Sequence, residues 1–290
     1  LEERSLGALS NLSSLHAAFA LEGGLLRPLE VAPIAQLAED VTTIQRYQGK
    51  TNEAFTHLLV NLALSVAGAW PRLLAGERLK LLDPACGRGT TLNRAAVYGI
   101  DAHGIELDQR DVEAYVVFLL TYLKDRRFKH KVDQAKLRKG RDRPAHRVTV
   151  TYGQGKDRAQ HRVLDVIRDD MLQGRAHLPA RSMDLLVCDL PYGVQHGAHG
   201  EGARPTRGPA PLLRRAAPVW FELLRPGAGV ALAWNRKTMG RPELEEIVTG
   251  AGFELARPEG DEAFVHRVDQ AIQRDVLLAR RRPGRGGSAG

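Results

Sequence analysis

The chain has 290 residues, of which 43% are hydrophobic and 26% charged, a composition that can bury a core and excludes a disordered protein. Two cysteines, Cys86 and Cys188, exclude a disulfide framework and a four-cysteine zinc site. The formal charge of +8 is uneven: from Lys124 to Arg162 there are 14 Lys+Arg and 4 Asp, a net +10, so the rest is close to neutral. No apolar run approaches the ~18 residues of a membrane span, and Leu1 to Ser10 lacks the basic start of a signal peptide. A cytoplasmic protein with no membrane contact is expected, and its oligomeric state is not legible.

Residues 1–76 read as a helical N-terminal extension. Leu9 to Leu21 is apolar at helical spacing, Gly23, Gly24 and Pro28 read as a linker, and Thr51-Asn52-Glu53-Ala54 reads as a capped helix start. From Leu79 the pattern changes to alternating strands and helices. Strands are predicted over 79–82, 102–107, 163–167, 183–188, 229–234, 253–256 and 276–279, with helices over 90–98, 112–123 and 242–250. This alternation predicts one α/β domain over 77–282, an open, doubly wound, mostly parallel sheet covered on both faces. Residues 124–162 are predicted to be a basic insertion with a hairpin, turning at Gly153-Gln154-Gly155. The stretch 193–211 reads as a surface loop and 283–290 as a disordered tail.

Ligands in such sheets bind at the carboxyl ends of the strands, near the reversal of strand order. The first strand ends Leu82-Asp83-Pro84-Ala85-Cys86-Gly87-Arg88-Gly89-Thr90-Thr91. Two glycines permit close backbone approach. A dinucleotide fingerprint needs a third glycine where Leu92 stands. Asp83 would repel a pyrophosphate and would suit a ligand with a cationic amino group. The second strand ends Glu106-Leu107, 17 residues beyond Gly89. An acid there can accept both hydroxyls of a ribose. The third strand is followed by Asp169-Asp170, and either carboxylate could accept an adenine amine; Asp170, next to Met171, is the preferred candidate. The fourth strand ends Asp189-Leu190-Pro191-Tyr192-Gly193.

This set resembles class I S-adenosyl-L-methionine (SAM)-dependent methyltransferases of the amino-methylating kind. The pair Asp83-Pro84-Ala85-Cys86-Gly87-Arg88-Gly89-Thr90 and Asp189-Leu190-Pro191-Tyr192-Gly193 is similar to the motifs of THUMP-linked tRNA guanosine N2-methyltransferases. The resemblance covers roughly Leu79 to Trp234. It implies a Rossmann-like fold and SAM held by Asp83, Ala85, Cys86, Gly87, Gly89, Thr90, Glu106, Leu107 and Asp170. Thr51, at the helix start before the first motif, would lie near the methionine end of the cofactor. Asp189, Leu190, Pro191 and Tyr192 would be catalytic. The Asp189 carboxylate and the Leu190 carbonyl would accept the two N–H bonds of an exocyclic amine, with Tyr192 stacked on the base. Leu190 stands where the family has proline, and a backbone carbonyl survives that change.

About 75 residues precede the core, too few for a THUMP domain with its linker, so another element is expected to capture the substrate. The basic segment from Lys124 to Arg162 suits a phosphate backbone, which makes a nucleic acid, RNA above all, the expected partner. No metal is expected: His196 and His199 have no evident companion ligands. N-methylation of a protein amide or a small metabolite is the rival reading of the same motif.

Overall fold

The computed structural model describes residues 7, 9–137, 145–153, 160–190, 208–257 and 263–282. The N-terminal extension departs from the helical expectation at its start. Strand β1 (Ala18–Glu22) pairs antiparallel with β2 (Leu25–Leu29), Ala18 opposite Leu29 and Glu22 opposite Leu25. Gly23 (φ 56°) and Gly24 (φ 83°), read above as a linker, are the two central residues of the turn. Positive φ at both positions matches the twist of a tight hairpin and overrides the helical spacing of the flanking residues. The helical part follows: α1 (Asp40–Thr43), α2 (Glu53–Val66) and α3 (Trp70–Leu74). Asn52 caps α2 by accepting a hydrogen bond from the Phe55 N–H at 3.0 Å.

The domain that follows is built on a ten-stranded sheet. Its elements are β3 (Lys80–Asp83), α4 (Thr90–Val97), β4 (Asp101–Glu106), α5 (Gln109–Asp125), β5 (Lys129–Leu137) and β6 (Ala145–Gly153). Then come β7 (Arg162–Arg168), α6 (Gly174–His177), β8 (Met183–Asp189), α7 (Ala210–Leu223) and β9 (Leu224–Asn235). Last are α8 (Arg241–Gly250), β10 (Phe253–Ala256), β11 (His266–Arg267) and β12 (Gln273–Arg281). The strand order is β10-β12-β9-β8-β3-β4-β7-β6-β5, with β11 paired to β12. The five central strands, β9-β8-β3-β4-β7, are parallel. The chain runs outward from β3 to β4 and β7, then returns to place β8 on the other side of β3. The order therefore reverses between β3 and β8, as in Rossmann-like doubly wound folds.

Strand periodicity of two explains the layers. Leu81, Leu185, Val187, Ala231 and Ala233 face one core with α2, α4 and α5. Leu82, Leu186, Cys188, Val230, Leu232 and Trp234 face the other with α7 and α8. The N-terminal α2 is part of this packing. A Cβ on Gly229 of β9 would stand 2.1 Å from the Ala63 carbonyl oxygen, so only glycine lets the helix lie this close. Helix α7 begins at Ala210, inside the stretch read from sequence as a loop, and carries Pro218 in its interior. Among the described residues no helix is long and apolar enough to cross a membrane.

The hairpin read from the sequence corresponds to β6 and β7, and the basic insertion adds one strand that the sequence reading misses, β5. Strand β5 pairs with β6, and β6 with β7, all antiparallel. The register settles which edge each end occupies. His146 faces Arg168, the last residue of β7, and Lys136 faces His146. The close of β5 and the start of β6 thus lie at the carboxyl edge of the parallel strands. Lys129, opposite Gly153, lies at the other edge. The C-terminal arginines are in part structural. Arg281 is buried in β12, donates to the Leu224 carbonyl and lies over the Phe221 ring. Residues 283–290 lie outside the described residues.

Candidate functional site

A pocket of about 310 Å³ opens at the carboxyl ends of β3, β4, β7 and β8, at the reversal of strand order. Thr51, Asp83, Ala85, Cys86, Gly87, Thr90, Glu106, Leu107, Asp170, Asp189 and Leu190 all line it. Segments far apart in sequence meet there because parallel strands deliver all their carboxyl ends to one edge. Gly89 does not line the pocket. It starts α4 at φ 79°, and a Cβ there would fall 2.3 Å from the Tyr115 ring, so its role is to let α4 pack on α5. Pro191 and Tyr192 lie outside the described residues, as do His196 and His199.

Asp83 closes β3 in a buried position and accepts the Ala85 N–H at 3.1 Å. Burial, with the negative charges of Glu106 and Asp189 nearby, pushes its carboxyl up to about 7; bonds from Thr91 and Ala85 oppose the shift. Glu106 accepts the Gly87 N–H through Oε2 and the Asp108 N–H through Oε1, each at 2.8 Å. These bonds fix its rotamer and tie β4 to the glycine turn. Each carboxylate oxygen offers two acceptor sites, so both can still receive a hydroxyl.

Asp169 and Asp170 both line the pocket, so the alternative between them stays open. Asp169 meets His177 Nε2 at 2.5 Å and accepts the Asp170 N–H at 2.8 Å, so both its oxygens have partners. Asp170 uses Oδ1 to cap the turn that follows, accepting from the Leu172 N–H at 2.9 Å. Asp189 Oδ2 receives the Thr51 hydroxyl at 2.8 Å and Arg274 Nη2 at 3.2 Å. Leu190 donates its N–H to the Ala233 carbonyl at 2.8 Å, which a proline could not do. This bond extends the β8–β9 ladder and anchors the peptide after Asp189. Both cysteines are buried, which pushes their thiols well up and leaves them inert hydrophobes.

The sequence reading misses one wall of the pocket. Tyr47, Gln48, Gly49, Arg88 and Asp111 line it as well. The Tyr47 hydroxyl pairs with Thr90 Oγ1 at 3.1 Å, Arg88 stacks over the Tyr47 ring at 4.9 Å, and Arg88 Nε bonds Asp111 at 2.8 Å. Tyr47 sits before α2 with no local motif. The one available signal is its place between α1 and α2, in the segment leading to the Thr51 cap.

No family model matches the sequence, and no curated protein matches it. Solved structures do. TrmN from Thermus thermophilus is 16% identical over 83% of this chain and 51% of that one, with a TM-score of 0.47. The chain thus spans about half the length of TrmN. A candidate RNA methyltransferase from Pyrococcus horikoshii is 13% identical over 97% of this chain and 100% of that one, TM-score 0.44. Magnesium protoporphyrin IX methyltransferase from Synechocystis PCC 6803, with bound SAM, is 14% identical over 81% and 86%, TM-score 0.44.

Proposed function

We propose that the protein is a SAM-dependent N-methyltransferase acting on an exocyclic amine of a nucleic-acid base, RNA most of all, at guanine N2 or adenine N6. The observation that carries the reading is the convergence of Asp83, Glu106, Asp170 and Asp189 on one pocket at the strand-order reversal. A set of carboxylate acceptors of this kind, with Asp83 buried among them, suits a cationic aminoacyl nucleoside and repels a pyrophosphate. Bound there, SAM supplies an electrophilic methyl group on a sulfonium.

The chain's own groups divide the work. Asp83 receives a cationic amino group, which supplies the positive charge its buried carboxyl lacks. Glu106, pinned by Gly87 and Asp108, receives ribose hydroxyls. Asp170 accepts from an adenine amine. Asp189, on the far side of β3, accepts an N–H of the substrate amine, and the Leu190 carbonyl takes the other. An exocyclic amine is a weak nucleophile because its lone pair is delocalised into the ring. Two acceptors pull its hydrogens out of the ring plane and free the lone pair for attack. Positioning supplies much of the rate, with reacting atoms about 3–3.5 Å apart. Asp189 then carries the leaving proton toward solvent.

The partner reading rests on the edge assignment of the insertion. The close of β5 and the start of β6 lie on the same edge of the sheet as Asp189. The segment joining them carries Arg138, Lys139, Arg141 and Arg143 and lies outside the described residues. Lys136, which lies on that edge, favours a phosphate backbone crossing the pocket mouth.

The test is incubation with tritiated SAM and total cellular RNA or DNA, followed by nucleoside mass spectrometry. Label in RNA, recovered as N2-methylguanosine or N6-methyladenosine, is expected. Label confined to protein or small molecules would sink the reading in favour of the amide or metabolite alternative.

A further inference from the structure

We propose that Arg274 and Thr51 are positioning residues that hold the Asp189 carboxylate in the orientation in which it accepts the substrate amine. The inference rests on the reading of Asp189 given above. Two donors converge on one oxygen. The Thr51 hydroxyl lies 2.8 Å from Asp189 Oδ2, and Arg274 Nη2 lies 3.2 Å from the same atom. Rotation about the terminal torsion of an aspartate is soft, with broad wells. A carboxylate at a strand end therefore needs external donors to present a fixed face. Two donors on Oδ2 supply that, and they set the direction of Oδ1 as well.

Both donors are themselves held. Arg274 is only 7% exposed and its guanidinium lies 4.9 Å over the Phe55 ring. Phe55 packs in turn on His266 at 5.1 Å, and His266 is the register partner of Arg274 across β11 and β12. Thr51 is fixed from both sides. Lys50 bonds the Thr42 carbonyl at 2.7 Å and pairs with Glu53, and Asn52 caps α2. The clamp therefore joins the start of α2, the end of β8 and the start of β12. These are segments 138 and 85 residues apart from Asp189 in sequence.

Charge points the same way. Asp83, Glu106 and Asp189 share the pocket, and Arg88, which also lines it, is paired with Asp111. Arg274 is a cation in direct contact with Asp189, so it offsets the repulsion among the carboxylates and keeps an anionic acceptor where the amine must dock.

The test uses the full chain, tritiated SAM and total cellular RNA, with SAM affinity measured separately by calorimetry. Arg274→Gln should lower kcat about 100-fold while KM for RNA and Kd for SAM stay within about threefold. Arg274→Lys keeps the charge without the planar fork and should recover about tenfold of that loss. Thr51→Val removes one of the two donors and should cost about tenfold in kcat. Turnover by Arg274→Gln at or above the unaltered rate would overturn the proposal; a rise would mark the ion pair as a block on Asp189. An equal loss in SAM affinity would overturn it too, by making Arg274 a general structural residue. Should Arg274→Gln not fold, unaltered kcat in both Arg274→Lys and Thr51→Val would overturn it. Failure of the unaltered protein to label RNA would instead sink the methyltransferase reading together with this one.

Discussion

The centre of the sheet and its β5–β6 flank use charge in opposite ways. The central strands are parallel, so β3, β4 and β8 all end at one edge and bring Asp83, Glu106 and Asp189 into one pocket. The flank is antiparallel, so its cations are shared between two edges: Lys136 lies at the pocket edge and Lys129 at the far one. The central carboxylates are held by backbone N–H groups and buried donors, whereas Lys129 and Lys131 face solvent. Parallel pairing concentrates chemistry at a point. Antiparallel pairing distributes a basic segment, so only part of its net +10 can serve the pocket.

Four measurements would break or sharpen this contrast. The largest effect is expected at Asp189. Asp189→Ala should lower single-turnover methyl transfer about 10³-fold, the scale of losing one preorganised polar group at a reacting centre. SAM affinity should stay near its original value, and equal turnover would remove Asp189 from the chemistry. Glu106→Ala comes next. It deletes charge-assisted hydrogen bonds to a ribose and releases Gly87 and Asp108, and calorimetry should show SAM binding weakened about 100-fold or more. Normal affinity would contradict the ribose assignment.

The flank should respond by edge. Reversing Arg138, Lys139 and Arg141 should weaken RNA capture about tenfold or more and flatten its salt dependence, while leaving SAM binding intact. Reversing Lys129 and Lys131 at the far edge should do much less. Equal losses from both sets would mean that the whole insertion, rather than its pocket edge, meets the substrate.

The smallest effect is a stability profile. Asp83 titrates near 7 in the folded protein because of burial, against about 3.9 when unfolded. The folded state binds this proton more tightly, so the contribution is fully present below about pH 4 and is lost as pH rises toward 7. Thermal unfolding without ligand should show a decline across that window that Asp83→Asn lacks. Saturating SAM should oppose the decline, because a cationic amino group favours the ionised carboxylate. Identical profiles for the two proteins would remove Asp83 as a buried titrating group.

Much of the centre was legible before the fold was known. Buried parallel strands are apolar runs, and each important one stops at an acid, as at Asp83-Pro84, Glu106-Leu107 and Asp189-Leu190. The flanks were harder. Strand β5 reads Lys129-His130-Lys131-Val132-Asp133, an exposed edge strand with little apolar alternation to betray it. The β1–β2 hairpin was hidden because the apolar spacing around it also fits a helix, and the paired positive φ of Gly23 and Gly24 decided the matter.

The sequence by itself determined the centre of the sheet, the direction of its strands and the carboxylates at their ends. Each of these is written in a short run of residues whose burial demands it. Only the tertiary structure decided that Tyr47 and Arg88 wall the pocket, that Gly89 serves packing, and that Thr51 and Arg274 both hold Asp189. Those contacts join segments tens to more than a hundred residues apart, and no local pattern encodes them. They exist because the strand order places the start of α2, the end of β8 and the start of β12 at one edge.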